Sequence, residues 1–153
     1  MKEINKGRIL AFVQFFLLAA ILIISFVFRN GHFTYNIRTI SGLIIIAVGL
    51  IIGVIAVYHI NQRISPNPYP FKSAVLITGG IYKFIRHPMY LSVILMTIGY
   101  CICIFSIYSM ISIFVILAFF NIKIIFEEKA LKDRFSEYED YKKSTYKLLP
   151  FLY

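Results

Sequence analysis

Residues 90–122 read YLSVILMTIGYCICIFSIYSMISIFVILAFFNI, a stretch of 33 residues without a charged side chain. A helix needs about 20 apolar residues to cross the hydrocarbon core of a bilayer, so this stretch is too long for one ordinary span. It fits two short spans of about 16 residues each. We predict a helical hairpin that turns between residues 103 and 109, where Ser106 and Ser109 are the polar markers.

Two further apolar stretches, 9–28 and 40–60, are each long enough for one span. The second contains Gly49 and Gly53, a G-x-x-x-G spacing that can let two helices approach closely. We therefore predict an all-α, polytopic integral membrane protein with about four transmembrane helices, forming a single domain over residues 1–153.

The composition supports the membrane assignment. Hydrophobic residues make up 59% of the chain, against about 45–50% in a soluble domain. The net charge of +9 does not indicate nucleic-acid binding, because the cations flank apolar stretches and form no single basic face. Cys101 and Cys103 lie in apolar surroundings and are interpreted as packing residues.

The distribution of charge predicts the orientation. With four spans, 14 of the 16 Lys and Arg fall on one side of the membrane, and only Arg29 and Arg38 fall on the other. Positive residues accumulate on the cytoplasmic side, so we predict that both termini are cytoplasmic. Leu131, Phe135 and Tyr138 then recur with helical spacing, which predicts a cytoplasmic C-terminal amphipathic helix.

The loop between the second and third spans carries a cluster of polar residues, in the stretch GGIYKFIRHPMY at 79–90. Prolines at 66–70 predict an extended segment before it. Lys83 and Arg86, taken singly, are explained as interfacial anchors. Together, Arg86, His87 and Pro88 place a donor and a titratable ring at a helix start, where unpaired N–H groups favour an anion. A second cluster, Lys123 with Glu127 and Glu128, follows the last apolar stretch; it could be an ordinary helix end, but acids at a membrane boundary are often functional.

These two clusters carry a specific resemblance. TGGIYKFIRHPMYLS at 78–92 and EEKALKDRFSEYEDYKKSTYKLLP at 127–150 resemble the motifs of the isoprenylcysteine carboxyl methyltransferase family, which is related to membrane phospholipid N-methyltransferases. The resemblance covers residues 74–150. It implies S-adenosylmethionine as methyl donor. The cofactor-binding residues that it implies are Val75, Leu76, Ile77, Tyr82, His87, Pro88, Met89, Tyr90 and Glu127.

The resemblance also implies roles toward the acceptor. The family's carboxylate-binding Arg aligns with Lys123, which keeps the charge but loses the planar fork. We assign Lys123 and Arg86 to substrate binding, Lys123 and Glu128 to catalysis, and no residue to a metal. The chain also departs from the family pattern at Ser136, where Gly is usual, and at Lys147, where Arg is common.

The predicted function is S-adenosylmethionine-dependent methylation of a lipophilic acceptor in the membrane, namely the carboxylate of an isoprenylcysteine-like substrate. A carboxylate nucleophile needs no general base, so catalysis is mostly positioning. The first alternative is N- or phenolic O-methylation of a lipid, where a phenol would need Glu128 or His87 as base. The second is a non-enzymatic membrane scaffold. The expected partners are a lipophilic or prenylated acceptor and membrane lipids, with no nucleic acid.

Overall fold

The computed structural model describes residues 2–29, 36–61 and 75–149, with side chains from residue 9 to residue 60 and from 75 onward in those ranges. The predicted extended segment at 66–70 and Pro150 lie outside the described residues. The helices are α1 (Lys2–Val27), α2 (Ile37–Asn61), α3 (Pro88–Ile104), α4 (Ile107–Arg134) and α5 (Tyr138–Lys143), and a 3-10 turn covers Gly80–Lys83.

Three helices are long and apolar enough to cross a membrane, over Ile9–Val27, Ile37–Ile60 and Ile107–Arg134. The fourth apolar helix, α3, has 17 residues. Its length of about 26 Å falls slightly short of a hydrocarbon core of about 30 Å. Large apolar side chains are exposed along the outer faces of these helices, where lipid can cover them. The predicted all-α, polytopic membrane architecture is confirmed.

The predicted hairpin turn between α3 and α4 is confirmed at Phe105 and Ser106. Phe105 has a left-handed backbone with φ of 48°, which ends α3. Ser106 and Ser109 then form a capping box at the start of α4, in which each hydroxyl accepts a hydrogen bond from the other residue's amide, at 3.2 and 2.9 Å. The two serines of the turn therefore satisfy each other's amides at the start of α4.

The second helix of the hairpin is longer than predicted. It does not end near residue 122 but continues through Lys123 and the two glutamates to Arg134. Lys, Glu and Ala are strong helix formers, so the change from apolar to charged sequence does not end the helix. As a result α4 carries the second polar cluster rigidly beyond the apolar stretch.

The helices pack as antiparallel neighbours in the order α2, α3, α4, α1. A side chain at Gly49 would lie 2.9 Å from the Ser92 carbonyl, and one at Gly99 would lie 2.5 Å from the Gly42 carbonyl. The predicted close approach at the G-x-x-x-G pair is confirmed, between α2 and α3. Cys101 and Cys103 are buried and free, as their packing role predicts.

The predicted C-terminal amphipathic helix is divided in two. Its first half is the end of α4, and its second half is the short α5, because the backbone becomes extended at Phe135 with φ of −121° and ψ of 115°. The break lets α5 fold back over the bundle end that carries both polar clusters. The chain then runs beside residues 84–87, where Arg86 N donates to the Tyr146 carbonyl at 2.8 Å and Tyr146 N donates to the Phe84 carbonyl at 2.9 Å.

Candidate active site

A cavity of about 470 Å³ lies at the end of the bundle where α2 and α4 finish and α3 begins. Small-molecule sites usually measure about 300–1,000 Å³, so the cavity has room for a cofactor-sized ligand. Its lining comes from every helix of the bundle and from the loop before α3. The lining residues are Gln14, Ile60, Val75, Leu76, Ile77, Tyr82, Arg86, His87, Pro88, Met89, Tyr90, Lys123, Glu127, Leu131, Phe135, Tyr138 and Tyr141.

The cavity brings together eleven of the twelve predicted site residues. All nine residues predicted to bind the cofactor line it, although Tyr82 and Glu127 are 45 positions apart in the chain. Lys123 and Arg86 line it as well. Glu128 is the exception, since it is absent from the lining. The two motifs thus form one enclosure because α3 and α4 are a hairpin whose open end holds both.

The ring of His87 joins the two motifs physically. Tyr90 donates its hydroxyl to Glu127 Oε2 at 2.5 Å. The His87 ring stacks parallel on the Tyr90 ring, with centroids 5.4 Å apart. His87 Nδ1 lies 3.8 Å from Glu127 Oε2, and Nε2 lies 3.3 Å from Glu128 Oε1. The imidazole is buried between two carboxylates, so it fixes the spacing of α3 and α4 at the cavity.

The start of α3 offers fewer donors to an anion than predicted. Pro88 occupies the first helical position, as predicted, and has no N–H. Tyr90 N and Leu91 N both donate to the His87 carbonyl at 3.1 Å. Of the first four residues of the helix, this leaves the Met89 amide for an external anion.

Glu128 lies behind the cavity wall, in a cluster that we call the latch: Arg86, Glu128, Lys142 and Thr145. Glu128 Oε1 accepts from Arg86 Nε at 2.8 Å, and Oε2 pairs with Lys142 Nζ at 3.0 Å. Arg86 also donates to the carbonyls of Thr145 and Lys142. The latch ties the loop before α3, the end of α4 and the C-terminal segment together.

The latch bears on the predicted roles of Glu128 and Arg86. The Glu128 side chain is 7% exposed and surrounded by cations, whereas the Glu127 side chain is 42% exposed. Glu128 is buried, paired and absent from the cavity lining, a geometry that favours a positioning role, and its predicted catalytic role stays a prediction. Arg86 directs Nε and one terminal nitrogen to internal partners but also lines the cavity, so its predicted substrate-binding role stays a prediction beside a positioning one.

Lys123 occupies the cavity as predicted, but its neighbours come from outside its own motif. Its ammonium donates to the Gln14 side-chain oxygen of α1 and lies 4.9 Å from the centre of the Tyr90 ring. The predicted neighbour one turn away, Glu127, is instead bonded to Tyr90. Lys123 therefore joins α1 and α3 at the membrane side of the cavity.

Several lining residues were not predicted as site residues. Leu131, Phe135 and Tyr138 were interpreted as the apolar face of an amphipathic helix, and that face is turned toward the cavity. Tyr141 donates to the Tyr82 carbonyl at 2.6 Å. Burial raises the pKa of Tyr82 to about 12, with Glu127 adding to the shift, and burial raises the pKa of Tyr141 to about 12. Both phenols are neutral donors at physiological pH and cannot act as bases.

Comparison with known proteins agrees with this geometry. A model of the phospholipid methyltransferase family matches residues 37–138, more than half of the chain. The chain belongs to the phospholipid methyltransferase family. It is also 30% identical over 158 positions to the protein-S-isoprenylcysteine O-methyltransferase of Saccharomyces cerevisiae, an alignment that includes 97% of this chain. The chain spans 66% of the yeast enzyme's length, just under two thirds.

No solved structure matches the chain. The resemblance predicted from the two motifs is confirmed by the family match and by the yeast relative. The matched region of this phospholipid methyltransferase family member begins at α2 and ends at Tyr138. The helix α1, which supplies Gln14 to the cavity, lies before that region.

Proposed function

We propose that this protein is a membrane methyltransferase that uses S-adenosylmethionine to methylate the carboxylate of a lipophilic, isoprenylcysteine-like acceptor. The observation that carries the proposal is the cavity lined by both motifs, with a half-exposed acid, Glu127, and a half-buried cation, Lys123, on its wall. Family membership and the name of the yeast relative support the same reaction class. A non-enzymatic scaffold would have no need for such a cavity.

The residues present fit the proposed cofactor. Glu127 is a half-exposed carboxylate that can accept hydrogen bonds from ribose hydroxyls or an ammonium group. The Met89 amide and the positive end of α3 suit a carboxylate. The residues Val75, Leu76 and Ile77 supply apolar side chains to the lining that also holds Tyr82. When bound, S-adenosylmethionine supplies a methyl group on a positively charged sulfur.

The chain's own contribution to the reaction is to hold, orient and exclude water. Lys123 can neutralise and orient an acceptor carboxylate at the membrane side of the cavity. The apolar walls and the folded-back α5 shield the site from water, which strengthens the attraction between opposite charges. The phenols of Tyr82 and Tyr141 are neutral and therefore do not compete with the acceptor carboxylate as nucleophiles. No general base is required for a carboxylate that is already ionised.

An apolar groove supports a lipophilic acceptor. It lies between α2 and α3, has a volume of about 510 Å³ and shares Met89 with the cavity. Its lining includes Leu50, Val54 and Met96 at positions that lipid can reach. A hydrocarbon chain could lie in the groove while its polar head reaches the cavity. Because a four-span topology assigns 14 of the 16 Lys and Arg in the sequence to one side of the membrane, we also propose that this side is cytoplasmic and holds both termini.

The test combines binding and transfer with the full chain in lipid nanodiscs. Calorimetry should detect S-adenosylmethionine binding, and Glu127→Ala or His87→Ala should weaken it much more than Lys83→Ala, an exposed cation outside the cavity lining. Labelled methyl should then be transferred to an S-prenylcysteine. Absence of cofactor binding by folded protein would refute the enzyme, and methylation of a phospholipid amine instead would refute the acceptor class.

A further inference from the structure

We propose that Gln14 and Lys123 together form a two-part receptor for the acceptor's carboxylate, in which each side chain donates to a different carboxylate oxygen. This inference rests on the proposed function and extends it to α1, where no motif residue lies. The chain has Lys123 where the resemblance implies an arginine. An arginine fork offers two parallel donors to a carboxylate, whereas a lysine offers a single charged point.

The contact between Gln14 and Lys123 supplies the missing second donor. The Lys123 ammonium donates to Gln14 Oε1. A carboxamide whose oxygen accepts this bond must point its NH₂ group away from the same lysine hydrogen. Both side chains line the cavity and are half-buried. An ammonium and an amide NH₂ therefore lie side by side at the membrane side of the site.

The donors of both side chains remain available. Within the described part of the chain, the Gln14 NH₂ group makes no hydrogen bond. Lys123 has three N–H donors, of which one goes to Gln14, and its ammonium lies over the Tyr90 ring. The bond to Gln14 and the ring contact hold the long lysine side chain in one place, which lowers the entropy lost when an acceptor binds.

Gln14 is also an unusual residue for its position. It is the one amide within the span Ile9–Val27. Polar residues inside membrane helices are costly and are commonly retained for hydrogen bonds between helices or for a site. A purely structural bond between α1 and α4 would explain why Gln14 Oε1 accepts from Lys123. It would not explain why the NH₂ group of Gln14 lies on the cavity lining without a hydrogen-bond partner in the described part of the chain.

Two substitutions at Gln14 separate the structural role from the receptor. Gln14→Leu removes both the bond to Lys123 and the second donor. Gln14→Glu keeps an oxygen for Lys123 but replaces the NH₂ donor with a negative charge that repels a carboxylate. A structural role predicts that Gln14→Glu behaves like wild type. The receptor predicts that it is the more damaging of the two.

The measurement is acceptor KM and cofactor Kd for the full chain in nanodiscs, with an N-acylated S-prenylcysteine as acceptor and its methyl ester as an uncharged binding probe. We expect Gln14→Leu to raise the acceptor KM about tenfold, and Gln14→Glu to raise it further. Cofactor Kd and binding of the methyl ester should stay unchanged. Phe15→Leu, a lipid-facing change on the same helix, serves as the control.

A second background makes the test independent of folding. In Lys123→Arg, one residue supplies both donors, so adding Gln14→Leu should raise KM less than about threefold. Equal losses from Gln14→Leu in both backgrounds, or a wild-type KM for Gln14→Glu, would overturn the receptor. If wild-type protein transfers methyl groups but binds the carboxylate no better than the ester, the receptor fails while the methyltransferase stands. If it transfers none to any carboxylate, the proposed function fails.

Discussion

Glu127 and Glu128 are neighbours in sequence and belong to opposite regions of the molecule. Glu127 is half-exposed on the cavity wall, where Tyr90 is its hydrogen-bond donor. Glu128 is buried in the latch between Arg86, His87 and Lys142. Successive residues of a helix lie about 100° apart, so the end of α4 turns one acid toward a ligand and the next toward the fold. The two acids of the motif thus have different surroundings, one in the cavity and one in the latch. His87 contacts both of them.

Removal of Glu128, the acid of the latch, should lower folding stability more than removal of its exposed partner Lys142. Glu128→Ala leaves Arg86 buried without its counterion, and breaking a buried pair costs about 3–5 kcal/mol. We expect loss of folding stability in thermal denaturation and, with it, loss of cofactor binding. Glu128→Gln keeps a hydrogen-bond acceptor and should lose less. A Glu128→Gln protein that is stable and binds cofactor but transfers no methyl group would support the predicted catalytic role of Glu128 over a positioning role.

The sequence predicted the fold well because its main signals are long and regular. Uncharged stretches define the spans, and Ser106 with Ser109 marks the turn that the structure has at Phe105 and Ser106. The end of α4 was harder to predict, because Leu131 and Phe135 have the same spacing whether a helix continues or restarts. The backbone becomes extended at Phe135 and Tyr138 is buried just after it, and helical periodicity reports neither.

Removing the charge of Glu127, the acid on the cavity wall, should weaken cofactor binding and leave folding stability unchanged. Glu127→Gln keeps an oxygen for the Tyr90 hydroxyl but removes the charge. Because hydrogen bonds to charged groups contribute about 1.5–3 kcal/mol, we expect cofactor Kd to rise about tenfold or more. Stability in denaturation should change by less than about 0.5 kcal/mol. Asp133→Asn, at an exposed acid on the same helix, is the matched control. Large destabilisation by Glu127→Gln would contradict the conclusion that Glu127 serves the ligand while Glu128 serves the fold.

The site was predictable where a motif names the residue and unpredictable where a helix brings it from elsewhere. His87 and Glu127 lie in motifs, and both line the cavity. Gln14 is 109 positions from Lys123, and its one signal in the sequence is an amide among apolar residues. A motif also marks residues that build the cavity along with residues that line it: Glu128 lies in the second motif but is absent from the lining.

Tyr138 and Tyr141 of α5 extend the comparison between residues that serve the ligand and residues that serve the fold. In the described part of the chain the Tyr138 hydroxyl is buried without a hydrogen-bond partner, while the Tyr141 hydroxyl is bonded to the Tyr82 carbonyl. Tyr138→Phe should therefore leave thermal stability unchanged and weaken cofactor binding by about 0.5–1.5 kcal/mol, the value of one hydrogen bond. Tyr141→Phe should lower stability by a similar amount. Reversed outcomes would place Tyr141 with the ligand and Tyr138 with the fold.

The exposed partner of the latch should matter least. Lys142 pairs with Glu128, but its side chain is 45% exposed, so water can replace it. Pairs that reach solvent contribute at most about 1 kcal/mol and weaken with salt. We expect Lys142→Ala to lower stability slightly at low salt and not measurably at high salt, with Lys143→Ala, in an exposed pair with Asp140, as the control. A loss as large as that of Glu128→Ala would mean that both cations hold the acid cooperatively, and that Arg86 alone cannot keep the latch closed.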